Sequence, residues 1–134
     1  MCSSDLPKNR YHAFVSFGGY NAATPSQPGH VFDVLYNPAT GKATWTSLDR
    51  GSGPMGDLPV TTLVYDDVAD RLFAGTDFGV LTQVGKSGIW TNLADGLPKV
   101  EVSGLTLDAK SRTLYAATHG RAVWSLKLAA RNSR

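Results

Sequence analysis

Two stretches of the chain repeat each other. Thr61–Asp66 (TTLVYD) is followed by Arg71–Thr76 (RLFAGT), and Ser103–Asp108 (SGLTLD) is followed by Thr113–Thr118 (TLYAAT) at a constant offset of 42 residues. Each segment is rich in Val, Leu, Phe, Tyr or Thr, and a short polar turn separates the two members of each pair. This pattern is typical of β-hairpins. The offset indicates that the chain is built from a repeated unit.

A second marker supports the same repeat. Trp45–Leu48 (WTSL) recurs 45 residues later as Trp90–Leu93 (WTNL), and a Leu-Pro pair follows each copy, at 58–59 and at 97–98. Ala13–Val15 also matches the LFA of the repeated segment. A period of about 40–45 residues holding four short strands is typical of a β-propeller blade, which buries its two apolar faces only by stacking against neighbouring blades.

Strand-like segments run through the whole chain. The clearest are His12–Phe17, Val31–Tyr36, Ala43–Ser47, Thr61–Asp66, Arg71–Thr76, Val80–Val84, Ile89–Leu93, Ser103–Asp108, Thr113–Thr118 and Ala122–Leu128. They fall into sets of three, four and three, and no segment keeps a helical period. We therefore predict an all-β fold, a partial β-propeller of about two and a half four-stranded antiparallel blades.

The repeat divides the chain into units. We interpret 1–6 as an artefactual or non-native start, because its sequence looks like the translation of a sequencing adapter. The units that follow are an incomplete blade at 7–56 with an insertion at 18–29, a complete blade at 57–96, a final blade at 97–128 that lacks its fourth strand, and a tail at 129–134. Closed propellers have about 4–8 blades. We therefore expect the chain to be a fragment whose partners include the missing blades of its own full-length chain.

Composition excludes several classes of function. The chain has 134 residues, 42% of them hydrophobic, and a net charge of +2 spread along its length, which argues against a nucleic-acid partner. A single cysteine, Cys2, excludes an internal disulfide and multi-cysteine zinc sites. No apolar run is long enough to span a membrane.

Two apparent ligand motifs fail on context. Gly51–Gly56 matches G-x-G-x-x-G, but it leads into a strand and not into the helix that a dinucleotide site needs. Asp66, Asp67 and Asp70 lack the Gly and Glu of a calcium loop. We therefore predict no cofactor and no metal.

The chain from about Pro7 to Leu128 resembles the C-terminal blades of bacterial Asp-box (BNR-repeat) propellers, the group that includes sialidases, xyloglucanase-like glycoside hydrolases and sortilin-type receptors. The resemblance rests on Phe17–Asn21 leading to Gly29–Phe32, on Ala74–Val80 and on Ala117–Trp124. It implies a secreted or periplasmic bacterial protein. The Asp-boxes are degenerate, because the turns at 38–45 and 84–90 keep the tryptophan and lack the aspartate.

Loops at one end of the predicted blades carry the candidate binding groups. Antiparallel strands alternate in direction, so these loops are expected to share one face. We predict a ligand-binding face formed by Tyr20, Asn21, His30, Asp77, Phe78, His119 and Arg121. Aromatic rings, a carboxylate, an imidazole and a guanidinium are groups that stack on and hydrogen-bond a sugar or a peptide. Trp45, Trp90 and Trp124 are assigned structural roles between sheets.

The residues favour a scaffold over an enzyme. A glycosidase needs two carboxyl groups about 5–9.5 Å apart, and only Asp77 lies in a loop where we expect a catalytic acid. A sialidase-like site would also need several arginines, and Arg121 is the single candidate. We predict a glycan- or protein-binding scaffold, with a glycoside hydrolase whose catalytic residues lie mostly in missing blades as the alternative.

Overall fold

The computed structural model describes residues 2–6, 9–23, 29–49, 53–93 and 96–130. Within them the strands are β1 (Cys2–Leu6), β2 (Asn9–Ser16), β3 (Val31–Asn37), β4 (Lys42–Ser47), β5 (Val60–Asp66), β6 (Arg71–Thr76), β7 (Gly79–Val84), β8 (Thr91–Asn92), β9 (Val102–Asp108), β10 (Thr113–Thr118) and β11 (Val123–Lys127). One turn of 3-10 helix, Asn21–Ala23, interrupts the loop between β2 and β3. The predicted all-β class is confirmed.

The strands form three antiparallel sheets in which each strand pairs with its neighbour in sequence. The first sheet has the order β1-β2-β3-β4, the second β5-β6-β7-β8 and the third β9-β10-β11. The second and third sheets have the four and three strands that the repeat predicts. Strand β8 is shorter than expected, because only Thr91 and Asn92 pair with β7.

The first sheet differs from the prediction of three strands. Cys2–Leu6 pairs with β2 along the register Cys2 to Ser16 through Leu6 to Asn9, so the sheet has four strands. The segment has a weak strand propensity, with two serines and an aspartate. Its pairing is explained by the free backbone groups of the β2 edge, which accept an extended segment with few requirements on its side chains.

The turns inside the sheets repeat in backbone conformation as well as in sequence. In the β5–β6 turn Asp66 accepts the backbone N–H two residues on, and Asp108 does the same in the β9–β10 turn. Each turn ends at a residue with positive φ, Asp70 at 47° and Arg112 at 51°. These pairs are 42 residues apart, so the sequence offset corresponds to a structural repeat.

The second sheet lies between the other two. One apolar cluster joins it to the first sheet, and its largest members are Phe14, Met55, Leu72, Leu81 and Trp90. A second cluster joins its opposite face to the third sheet through Phe73, Val80, Val102, Leu105 and Leu114. Because neighbouring residues of a strand point to opposite faces, Leu72 and Phe73 belong to different clusters. The core therefore has two layers, one in each junction between sheets.

Polar contacts also join the sheets, at the end where β2 begins and β7 ends. Asp66 of the second sheet accepts two hydrogen bonds of 2.6 Å from the Arg112 guanidinium of the third. At the other junction, Asp33 of the first sheet accepts a 2.5 Å hydrogen bond from Lys86, which follows β7. The imidazole of His12, on the neighbouring strand β2, also contacts Asp33. These ion pairs lie away from the loops predicted to bind a ligand, which follow the opposite ends of β2 and β6.

The three tryptophans occupy different environments. Trp90 is buried and donates its indole N–H to the Leu48 carbonyl at 2.9 Å. Trp45, its repeat equivalent, is 50% exposed and contacts Phe32 of its own sheet. Trp124 is partly exposed and donates to the Arg121 carbonyl. The packing between sheets expected for Trp45 is therefore not observed, because its side of the first sheet faces away from the second sheet.

Candidate functional site

The loop between β2 and β3 is closed at its base by backbone and side-chain hydrogen bonds. Phe17 N–H donates to the His30 carbonyl at 2.9 Å, and Gly29 N–H donates to the Asn21 side-chain oxygen at 2.9 Å. Gly29 has a φ of 126°, and a Cβ there would lie 3.0 Å from the Phe32 ring. Glycine therefore suits this position on both conformational and steric grounds. Residues 24–28 of the predicted insertion lie outside the described residues.

Asp57 connects this loop to the segment that leads into the second sheet. Its Oδ1 accepts the backbone N–H of Asn21 at 2.8 Å and contacts His30 Nε2 at 2.9 Å. A carboxylate only accepts hydrogen bonds, so Nε2 is the protonated nitrogen in this contact. Asp57 thus fixes two predicted site residues at once.

His30 is a buried residue and not an accessible one. Its side chain is 1% exposed, and its backbone N–H donates to Asp49 Oδ2 at 2.7 Å. Its Nδ1 atom has no hydrogen-bond partner among the described residues. With the imidazole buried and bound to Asp57, His30 supports the loop from below.

Tyr20 and Asp77 meet across the junction of the first and second sheets. The Tyr20 hydroxyl donates to Asp77 Oδ2 at 3.2 Å, although 57 residues separate them. Asp77 lies in the β6–β7 turn, where Thr76 Oγ1 accepts the Phe78 N–H at 3.1 Å and donates to the Gly79 carbonyl at 2.9 Å. These bonds hold the turn so that Asp77 and Phe78 both lie at the loop end of the second sheet.

The local charge around Tyr20 is negative. The hydrogen bond to Asp77 raises the pKa of Tyr20 above its usual value, and partial desolvation and the charges of Asp77 and Asp57 act in the same direction. The phenol therefore stays protonated at neutral pH. Tyr20 can donate a hydrogen bond, and it is poorly suited to act as a phenolate nucleophile.

Phe78 extends the site toward the third sheet. Its ring is 59% exposed, and it borders a cavity of about 370 Å³. Leu93, Leu97, Pro98 and Lys99 line the same cavity. Most of these side chains are apolar, and Lys99 contributes a cation. The loop end of the molecule thus presents an aromatic and partly concave surface next to the Tyr20 and Asp77 pair.

The remaining predicted site residues lie on the third sheet. His119 is largely exposed, and its Nδ1 is 4.0 Å from Glu101 Oε2. Its backbone N–H donates to the Glu101 carbonyl at 2.9 Å. Arg121 is also exposed. No contact between these two side chains and the Tyr20 region is observed in the described part of the chain.

The structure therefore separates the seven predicted residues into two groups. Tyr20, Asn21, His30 and Asp77 are linked by direct bonds or through Asp57, and Phe78 adjoins them. We name these five residues, together with Asp57, the Tyr20 cluster. Asp57 was missed from the sequence, where no second acid was expected beside Asp77. Its position just after the glycine-rich stretch Gly51–Gly56, between two repeat units, was a signal in the sequence that could have identified it.

A metal site is not supported by the described residues. Among them, no group of three or more His, Cys, Asp or Glu side chains is arranged to hold an ion.

Within the described residues, no helix is long and apolar enough to cross a membrane.

Comparison with known proteins adds no assignment. No protein-family model matches the chain, and no curated protein sequence matches it. The resemblance to Asp-box propellers stays a prediction.

Proposed function

We propose that the chain is part of a β-propeller-type scaffold that binds a glycan at its loop end, through the Tyr20 cluster. In this proposal the three sheets are successive blades, and their uncovered faces are completed by further blades. The bound glycan lies across the loops of the first and second sheets.

One observation carries the proposal. The hydrogen bond from Tyr20 to Asp77 brings together residues from two sheets that the sequence predicted for one binding face. Tyr20, whose ring is half exposed, lies close to the carboxylates of Asp57 and Asp77, and the exposed ring of Phe78 follows Asp77 directly in the chain. Aromatic faces and charged acceptors are the groups that stack on sugar rings and bind their hydroxyls.

The charge of the cluster favours a glycan without an acidic group. The carboxylates of Asp57 and Asp77 both act on the Tyr20 hydroxyl and raise its pKa. A sialic acid or other anionic sugar would be repelled at this point, since like charges disfavour each other at short range. A neutral, hydroxyl-rich sugar would use Asp57 and Asp77 as acceptors and the Tyr20 hydroxyl as a donor.

A glycoside hydrolase is the second candidate. Asp57 and Asp77 both act on Tyr20, so the loop end carries two carboxyl groups and not the single one expected. A pair of carboxyl groups is the catalytic arrangement that most glycoside hydrolases use. Hydrolysis of a bound oligosaccharide that is lost in Asp57→Asn and Asp77→Asn would support this candidate over a binding scaffold.

The test is binding to a glycan array, followed by titration of the retained glycan. Tyr20→Ala and Phe78→Ala should each weaken binding about tenfold, as expected for aromatic side chains at the centre of an interface. Asp77→Asn should weaken it as well, because the amide has only one acceptor oxygen.

Two variants at the opposite end of the sheets serve as controls. Ile89→Ala removes an exposed apolar side chain, and Asp108→Asn replaces an exposed carboxylate. Both should bind as the unmodified chain does. The proposal is wrong if no neutral glycan is retained, or if all Tyr20-cluster variants keep full affinity with their thermal unfolding unchanged.

A further inference from the structure

Three ionisable side chains meet where the first sheet packs on the second, at the end opposite the Tyr20 cluster. His12 on β2 and Asp33 on β3 belong to the first sheet, and Lys86 follows β7 of the second. His12 Nε2 contacts Asp33 Oδ1, while Lys86 Nζ lies 2.5 Å from Asp33 Oδ2 and 3.2 Å from His12 Nε2. Each group therefore lies within hydrogen-bond distance of the other two.

This network is partly shielded from water. The side chains of His12 and Asp33 are 14% and 13% exposed, whereas that of Lys86 is 49% exposed. The His12 ring lies 5.6 Å from the Phe14 ring, which belongs to the apolar cluster between the two sheets. A charge on His12 is therefore screened less than a charge on the open surface. Lys86 is the member of the network with the most room to move.

His12 Nε2 cannot satisfy both of its neighbours at once. A carboxylate only accepts hydrogen bonds, and an ammonium group only donates them. With a proton on Nε2 the imidazole donates to Asp33, and it then presents an N–H to the ammonium group of Lys86. Without that proton Nε2 can accept from Lys86, but its lone pair faces the Asp33 oxygen. Asp33 and Lys86 therefore require opposite states of the same nitrogen atom.

We propose that these three residues form a pH-sensitive tie between the first and second sheets. While the imidazole is neutral, the cation paired with Asp33 is Lys86, and this ion pair joins the two sheets. Uptake of a proton fixes Nε2 as a donor to Asp33 and places a second positive charge 3.2 Å from Lys86 Nζ. Because like charges repel at this distance, Asp33 exchanges Lys86 for His12, which lies in its own sheet. Acidification thus releases the tie.

The other ionisable groups around the network keep their charge in the same pH range. Arg10 on β2 lies over the Tyr11 ring, 4.8 Å from its centroid. In the β5–β6 turn, Asp70 lies beside Gly85 and accepts the Tyr65 hydroxyl at 2.7 Å. Burial and this hydrogen bond raise the pKa of Tyr65 to about 12, so the phenol stays neutral. The carboxylates of this turn are those of Asp66, Asp67 and Asp70. Imidazole is the side chain that ordinarily changes charge between about pH 5 and pH 8.

The experiment compares thermal unfolding of the full 134-residue chain and of Lys86→Met at pH 8 and at pH 5. At pH 8 the substitution should lower the unfolding midpoint by about 1–3 °C, because it removes the ion pair between the sheets. At pH 5 the difference between the two chains should disappear. Comparing the two chains at each pH cancels the titration of groups that both chains share.

His12→Gln is the second variant, since glutamine can hydrogen-bond Asp33 and does not take up a proton. In this background Lys86→Met should lower the midpoint equally at pH 8 and pH 5. Asp66→Asn is the matched control at the other junction, where the ion pair contains no imidazole. The Arg112 guanidinium and the N–H groups of the turn outweigh burial and lower the pKa of Asp66, so this pair is charged at both pH values. Asp66→Asn should therefore cost the same at pH 8 and pH 5.

The titration of the His12 imidazole, followed by nuclear magnetic resonance, tests the cause directly. Its midpoint should coincide with the pH at which the effect of Lys86→Met disappears, and two separate midpoints would overturn the proposal. An effect of Lys86→Met that is equal at both pH values, or absent at both, would also overturn it. The same holds for an effect that disappears at pH 5 in the His12→Gln background, because another group would then be responsible. These measurements need no ligand, so they do not depend on the proposed glycan site.

Discussion

The middle sheet and the outer sheets show what the same repeat does with and without a neighbour on each side. In the middle sheet, Leu72, Phe73 and Ala74 are consecutive and all fully buried. In the third sheet, the equivalent Leu114 and Ala116 are buried while Tyr115 between them is 41% exposed. Strand propensity is similar in the two segments. The difference in burial comes from neighbours, which a repeat unit needs on both faces to hide its apolar residues.

Trp90 and Trp45 give the largest test of this comparison. Trp90→Ala should lower the free energy of unfolding by about 3–5 kcal/mol, because it leaves a cavity between two sheets and removes the bond to the Leu48 carbonyl. Trp45→Ala should cost less than about 1.5 kcal/mol, since half of its surface is already in water. Urea unfolding of both variants, at a chain concentration low enough to avoid association, measures the two values.

Equal losses in the two variants would contradict the comparison, because they would mean that burial in the two sheets is the same. Trp45→Phe and Trp90→Phe are useful second variants. Phenylalanine keeps most of the apolar volume, so only the Trp90 variant should lose the energy of the indole hydrogen bond, about 1 kcal/mol.

Much of the fold could be predicted from the sequence. The 42-residue offset placed β5, β6, β9 and β10 to within one residue at each end. The offset works because the repeated segments bury the same side chains against the same neighbours. Strand β1 could not be predicted, since its pairing depends on the backbone edge of β2 and not on its own residues.

The site was harder to predict than the fold. Tyr20 and Asp77 were selected as loop residues on one face, yet nothing in the sequence specifies a bond between positions 57 apart. His30 was predicted to belong to the ligand-binding face and is buried, with its imidazole bound to Asp57 and its backbone N–H bound to Asp49. Contacts of this kind depend on how two loops from different sheets approach each other, which a repeat period does not encode.

The ion pairs at the two junctions give a second test. Arg112→Met leaves Asp66 as an unpaired carboxylate that is 1% exposed, and should cost about 3 kcal/mol. Lys86→Met removes a half-exposed lysine from Asp33, and should cost less than about 1 kcal/mol. Thermal unfolding at neutral pH measures the difference between the junctions.

The loss of stability at acid pH tests whether the ion pair between Arg112 and Asp66 is the cause of this difference. Burial alone would raise the pKa of Asp66, but the Arg112 guanidinium and the backbone N–H groups of its turn outweigh burial and lower it. A carboxyl whose folded pKa is lowered adds stability above its unfolded pKa of about 4, and this stability is lost as pH falls through the folded pKa. The double variant Asp66→Asn, Arg112→Met should therefore lose less stability than the unmodified chain as the pH falls below about 4.

The smallest expected effect concerns one methyl group in equivalent cross-strand pairs of the second and third sheets, in which the glycine stands on opposite strands. Gly75 in β6 pairs with Thr62, and the equivalent pair in the third sheet is Ala117 with Gly104. A Cβ on Gly75 would lie 2.5 Å from Thr62 Cγ2 and 2.9 Å from Val102 Cγ1. At Gly104 a Cβ would lie 3.8 Å from Ala117 Cβ, which is ordinary contact. A methyl group on Gly75 is therefore excluded both by Thr62 of its own sheet and by Val102 of the covering third sheet, whereas a methyl group on the uncovered Gly104 is accommodated.

Gly75→Ala should accordingly destabilise the chain by about 1–3 kcal/mol through overpacking. Gly104→Ala should be neutral or stabilising by a few tenths of a kcal/mol, because the alanine restricts the unfolded chain without a clash. Adding Val102→Ala to Gly75→Ala removes one of the two close contacts and should recover part of what the overpacking alone costs, as a double-mutant cycle would show. If Gly75→Ala is as stable as the unmodified chain, the third sheet does not pack closely on the second, and the contrast between covered and uncovered faces fails at its tightest point.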